Sequence, residues 1–336
     1  MKEYHIILTA DSVEGILDKQ KAFLSGGMSG TEVAFKRYFL SEPSSQRASL
    51  PDEDGAVSYI QQSPLDGSAI AVWLFLVQDA EVVRGRGTTL VKAGGAEQLF
   101  CAGLTGEGTD SEAQTRAIFE KYASLLASEG MSVPDNCIRT WLYCRDIDDR
   151  YAGLVKARRE YFETVGLTSS THYLASTGIA GVSPKPGAFV QMDAWAVKGT
   201  FSQTYIYGAS HLSPTYDYGV TFERGVKVDF GSLTHTIISG TASIDSKGRV
   251  LHIGDIVKQA HRMFENVEVL LKEAGSGWSS VKQILVYLRN RDDYAMAAPL
   301  FAEKFPDIPY IITLAPVCRP DWLIEMECIA VDTSGQ

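Results

Sequence analysis

A chain of 336 residues, 45% hydrophobic and 21% charged, has an ordinary globular composition and a length that suggests about two domains. Its formal net charge of −10 excludes a general nucleic-acid or membrane-surface binder, because both need a basic footprint. No apolar run approaches the ~20 residues that span a bilayer, and the opening MKEYHIILTADSVEG lacks the long apolar core of a signal peptide. The cysteines (Cys101, Cys137, Cys144, Cys318, Cys328) are scattered, with no CxxC pair and no zinc spacing, so a reduced, cytoplasmic protein without metal or cofactor is expected.

In chain order, HIILTA reads as a strand, GTEVAFKRYFLSEPSSQ mixes apolar and basic residues, and QRASLPDEDGAV is a polar connector. Residues 1–65 are therefore expected to form an N-terminal lobe or an elaboration of the unit next to them in the chain. Then come a strand, QLFCAGL (98–104), a helix, EAQTRAIFEKYASLLASEGM (112–131), and a second strand, IRTWLYCRDIDDRY (138–151). Residues 182–236 are rich in Tyr, Gly, Ser and Pro, and their density of aromatics points to an ordered loop-and-strand segment. The earlier pattern then returns as HTIISGTASI (235–244), VKQAHRMFENVEVLLKEAG (257–275) and VKQILVYLRNRDDY (281–294). Gln114 aligns with Gln259, Phe119 with Phe264, Leu125 with Leu270 and Gly130 with Gly275, at an offset of about 145 residues.

Two copies of one α+β unit are thus expected, at 66–195 and 196–336. In the second copy Ile256, Ala260, Met263, Phe264, Val267, Leu270 and Leu271 form one helical stripe, and Gly275 supplies its stop. A helix over about 292–304 ends before Pro306 and Pro309, and the strands YIITLAPV and LIEMECIAV close the unit. In the last strand Ile324, Met326, Cys328 and Ala330 suit helix packing; Glu325, Glu327, Ile329 and Val331 face the other way. That second face must meet another sheet, from the partner domain or another subunit. Two carboxylates at such a joint are expensive to bury and mark a candidate pocket.

The order ISGTASI, a GD-led helix, VYLRNRDDY and LIEMECIAV resembles the RidA/YjgF (Rid) superfamily: well over residues 235–331, more weakly over 97–180. IRTWLYCRDID, THYLASTGIAG (171–181), YDYGVTFERG (216–225), ISGTASI (238–244) and VCRPDWLIEME (317–327) narrow it to the two-domain, chorismatase-like branch. The resemblance implies two tandem RidA/YjgF-like (chorismate-mutase-like) domains, each a mixed sheet with two helices on one face. It also implies a homotrimer or an internal pseudo-oligomer built from the two copies. The chain departs from the pattern at three points. No Arg stands near Tyr310, where RidA imine deaminases grip a substrate carboxylate; TVGL (164–167) replaces a helix-ending Gly-Arg; and FERG replaces FxRA, keeping Arg224 but with Gly225.

The implied activity is cleavage of the enolpyruvyl ether of chorismate or a related small-molecule carboxylate, with release of pyruvate. Such chemistry needs a proton delivered to a methylene carbon by an acid of raised pKa. The resemblance makes Glu325 that acid and Arg224 a carboxylate clamp. Tyr216, Tyr218, Ser239, Gly240, Thr241, Ala242, Cys318 and Arg159 are its expected substrate neighbours. The alternatives are a Rid-type imine or enamine deaminase, or a non-catalytic ligand-binding protein. The blander account of both glutamates is that they pair with arginines at a subunit joint. Arg158 and Arg159 are candidates for the second cation that a dicarboxylate needs, but a solvated helix face is the better account of them.

Overall fold

The structure, a computed structural model, describes residues 1–333. Its two complete units share one topology. The first contains β5 (Glu81–Gly85), β6 (Thr88–Ala93), β7 (Ala96–Leu104), α3 (Ser111–Ser128), a short α4 (Val133–Asn136), β8 (Cys137–Cys144), α5 (Ile147–Thr164), β9 (Ala175–Ala180) and β10 (Val190–Gly199). The second contains β11 (Ser202–Ile206), β12 (Gly225–Asp229), β13 (Leu233–Ala242), α6 (Ile256–Glu273), β14 (Val281–Leu288), α7 (Tyr294–Lys304), β15 (Tyr310–Leu314) and β16 (Ile324–Thr333). The sheet orders are β5-β6-β7-β10-β8-β9 and β11-β12-β13-β16-β14-β15, so the units superimpose strand for strand. The helical crossovers α5 and α7 make β8–β9 and β14–β15 the parallel pairs of otherwise antiparallel sheets. The predicted stripe of α6 is buried in full, and Asp255 caps its N-terminus by accepting from the Lys258 N–H.

The N-terminal residues also form a unit of this kind; in chain order it is the first of three, the β5–β10 unit the second and the β11–β16 unit the third. β1 (Lys2–Ala10), α1 (Val13–Ser25), β2 (Glu32–Leu40), α2 (Pro43–Ser49), β3 (Val57–Gln61) and β4 (Ile70–Gln78) build a sheet in the order β1-β4-β2-β3. That is the order β7-β10-β8-β9 again. The lobe expected over residues 1–65 therefore extends to Gln78, because Ile70–Gln78 is the central strand of its sheet, pairing with both β1 and β2.

The helix-free faces of the three sheets turn towards one another. Phe35 and Trp73 of the first unit meet Trp141 of the second, and Phe75 meets Trp195. Trp195 in turn packs edge-on to His235 of the third. Residues of all three units belong to one continuous apolar core. Single β-bridges fasten the seams: Gly55 with Arg86 and Gln61 with Val182, Ala175 with Glu223 and Ile179 with Val317, and Pro64 with Thr313. Among the described residues two buried arginine–carboxylate pairs cross the interior, Arg37–Asp193 at 2.9 Å and Arg139–Glu327 at 2.7 Å, and buried His235 meets Glu3 at 2.5 Å. The pseudo-oligomer is thus made of three units rather than two, and it closes within one chain.

Candidate active site

At the seam between the second and third units lies a cavity of about 470 Å³. α5 and β9 form one wall; the segment before β12, the end of β13 and the start of β16 form the other. Glu325 opens β16, paired with Ala242 on one side and Tyr287 on the other. The loop ahead of it is sewn to the start of α6 by one buried side chain: Gln259 donates to the Asp321 and His252 carbonyls and accepts from the Leu323 N–H. Trp322, whose indole N–H donates to the Ser243 carbonyl, completes the setting.

Glu325 is 5% exposed, and its carboxyl makes no hydrogen bond among the described residues. Burial raises its pKa to about 8, and the nearby charge of Glu327 pushes in the same direction; Arg224 and Arg139 oppose them. Glu327 has the opposite surroundings. It accepts from Arg139 at 2.7 Å, from the Trp141 indole at 2.6 Å and from the Thr177 hydroxyl. Two glutamates on one strand face therefore differ in kind, the paired one fixing charge beside the unpaired one. Gly240 makes room for this arrangement. Its N–H donates to Thr177 Oγ1 at 2.9 Å, and a Cβ there would collide with the Glu325 carboxyl.

Arg224 is 4% exposed and has no carboxylate partner among the described residues. It donates to the Ser213 carbonyl at 2.9 Å, and its Nε is buried without an acceptor. Its guanidinium lies over the rings of Tyr218 and Phe222, and Arg319 covers Tyr218 from a second direction. Cys318 lines the cavity as a neutral thiol, its pKa pushed up to about 12 by burial.

The expected site residues divide cleanly. Glu325, Arg224, Tyr218, Gly240, Ala242, Cys318 and Arg159 line the cavity, Arg159 from its exposed rim. Ser239 and Thr241 do not, because alternate residues of β13 face opposite ways. Ser239 accepts from the Ser176 N–H and donates to the Glu223 carbonyl, and Thr241 bonds back to Ser239. Tyr216 sits on the outside of the 215–218 turn, 48% exposed. Ser176, Thr177 and Tyr151 also line the cavity and were missed as site residues, although Ser176 and Thr177 lie inside the ASTGI stretch that carried the resemblance.

Comparison with known proteins agrees with this picture. Residues 227–332 match the family model for endoribonuclease L-PSP. A 3-hydroxybenzoate synthase from Streptomyces hygroscopicus is 26% identical over 289 residues, covering 77% of this chain and 81% of that protein. A RutC family protein from Pyrococcus abyssi is 34% identical over 95 residues, 28% of this chain and 75% of that one. The crystal structure of a chorismatase superimposes with a TM-score of 0.73 and 18% identity, covering 98% of each chain. The chain belongs to the RidA/YjgF superfamily, as a member built from tandem units with its cavity at the seam between them. Over almost its whole length it has the fold of that chorismatase.

Proposed function

We propose that the seam cavity cleaves the enolpyruvyl ether of chorismate, or of a close analogue, and releases pyruvate. One observation carries the reading: Glu325, unbonded and of raised pKa, shares a cavity with Arg224, a buried cation lacking a carboxylate partner. In the proposed reaction Glu325 gives its proton to the methylene carbon of the enol ether. The electron pair of the double bond forms the new C–H bond, and positive charge develops on the adjacent ether carbon. Capture by an oxygen nucleophile gives a ketal-level adduct, which collapses to pyruvate. Arg224 holds a substrate carboxylate so that the methylene faces Glu325.

The nucleophile decides the ring product. Water would leave a dihydroxylated diene. Capture by the neighbouring ring hydroxyl consumes no water: its proton returns to the Glu325 carboxylate, the cyclic ketal loses the hydrogen on the ring carbon bearing the ether oxygen as the other ring C–O bond breaks, and the resulting hemiketal of the phenol takes up that proton and parts into pyruvate and 3-hydroxybenzoate. The name of the Streptomyces hygroscopicus relative favours the second outcome.

The test is incubation of the purified protein with chorismate, pyruvate being read through lactate dehydrogenase and the ring product by chromatography. Pyruvate release with 3-hydroxybenzoate is expected. Binding of chorismate without pyruvate release would leave the cavity a ligand-binding site and reject the catalytic role of Glu325.

A further inference from the structure

Four arginines are fully or almost fully buried: Arg37, Arg139, Arg158 and Arg224. The first two are paired with Asp193 and Glu327. Arg224 awaits the substrate carboxylate already discussed. Arg158 is left without a role. It lies on α5, 1% exposed, and no carboxylate pairs with it among the described residues. It reaches Ser176 Oγ only by a long hydrogen bond, from Nη1 at 3.5 Å, and the neutral Tyr151 hydroxyl is a further polar neighbour. Nε and Nη2 are buried without acceptors, and burial pulls its pKa down. An ion taken out of water without a counter-charge is among the costliest groups a fold can carry. Arg159 and Arg319 escape that cost, since the first is exposed and the second only half-buried.

The position of Arg158 gives the charge a purpose. Its neighbours Ser176, Tyr151, Cys318 and Tyr218 all line the cavity, so the guanidinium sits one layer behind the wall. Ser176 Oγ accepts from the Thr140 hydroxyl at 2.8 Å as well as from Arg158. With both lone pairs engaged, its own O–H is left to donate towards the cavity, polarised by the cation behind it.

We propose that Arg158 is a positioning residue for a second anionic group of the ligand, acting through Ser176, and that it makes this cavity selective for dicarboxylates over monocarboxylates. The inference rests on the reading of the cavity as the substrate site, but its test is one of binding. In a Glu325→Gln background, which prevents turnover, calorimetry with chorismate and with 3-hydroxybenzoate compares a dianion with a monoanion. Arg158→Met should weaken chorismate at least about tenfold, as loss of a buried charge partner does, while 3-hydroxybenzoate changes less than about threefold. Arg158→Lys should recover part of the loss. The ligand-free melting temperature of Arg158→Met should hold or rise, because an uncompensated buried charge is gone.

A ligand-free melting temperature lowered by several degrees, with both ligands weakened alike, would make Arg158 an ordinary packing residue and overturn the proposal. So would unchanged selectivity, or wild-type protein that binds neither chorismate nor isophthalate more tightly than benzoate. Arg158-dependent binding of chorismate, with no pyruvate released by protein that keeps Glu325, would instead leave this inference standing and sink the proposed reaction.

Discussion

Glu325 draws its acidity from three neighbours at once: an apolar setting that disfavours its charge, a paired glutamate two residues on, and an arginine across the cavity that limits the shift. Glu325→Gln keeps the shape but loses the proton, so chorismate turnover should fall by ~10²–10⁴-fold, the usual contribution of a general acid. The same substitution should stabilise the fold. The folded protein holds a proton up to about pH 8 that the unfolded chain releases near 4.5, so wild-type stability declines as pH rises through that window. The variant should escape that decline, gaining roughly 1.4 kcal/mol for each pH unit crossed. Urea titrations at pH 5 and pH 8 check this, and equal gains at both would refute the assigned ionisation. Turnover by the wild type should fall along a one-proton limb above about pH 8. Glu325 was legible in the sequence because a carboxylate in an apolar strand is conspicuous. Arg158 was legible only as a candidate second cation outweighed by a solvated helix face, since arginines on an amphipathic helix usually face water. Its position, four residues after Leu154 and four before Phe162, does fall on the buried stripe of α5.

At the level of elements, the repeat was readable where it carried a polar marker and hidden where it did not. Gln259 on α6 binds the loop before β16. Gln114, at the same place on α3, donates to the Gly108 and Gly187 carbonyls and accepts from the Phe189 N–H before β10. On α1 the fourth helical position is Ile16, fully buried and apolar. The N-terminal copy therefore shows only generic amphipathic patterning, which explains why the repeat is not visible over residues 1–65 while it is in the other two copies. The two glutamines also allow a paired experiment. Gln259→Leu and Gln114→Leu each strand buried loop groups and should each cost roughly 1–3 kcal/mol of stability. Only Gln259→Leu should also impair catalysis, because Asp321–Leu323 leads directly into Glu325. Equal activity in the two variants, at equal stability loss, would argue that this loop does not position the acid.

At the scale of the whole molecule, three seams of similar backbone carry different chemistry. Registers of the central strands place Gln191 of β10 and Ala71 of β4 where β16 has Glu325: opposite Tyr143, Phe39 and Tyr287 in turn. Gln191 is 3% exposed and its amide donates to Ser58 Oγ and the Tyr59 carbonyl, so it stitches its seam and has no proton to deliver. Ala71 carries no functional group at all. A trimer of identical units would have repeated one site three times. Holding the three units in one chain leaves a single acid, although Gln191 also borders a cavity at its own seam. It also removes the need for other copies, because the sheet faces that would demand cover already cover each other. The large apolar side chains left exposed (Val83, Tyr207, Tyr216, Ile253 and Met296) are dispersed over the chain. Light scattering should accordingly give a monomer of 36.7 kDa, and calorimetry of Glu325→Gln with chorismate should give one ligand per chain. A stable trimer with one ligand per chain would mean that an outer surface, and not the sheet faces, drives assembly. More than one ligand per chain would mean that Gln191 or Ala71 lines a working site despite lacking the acid.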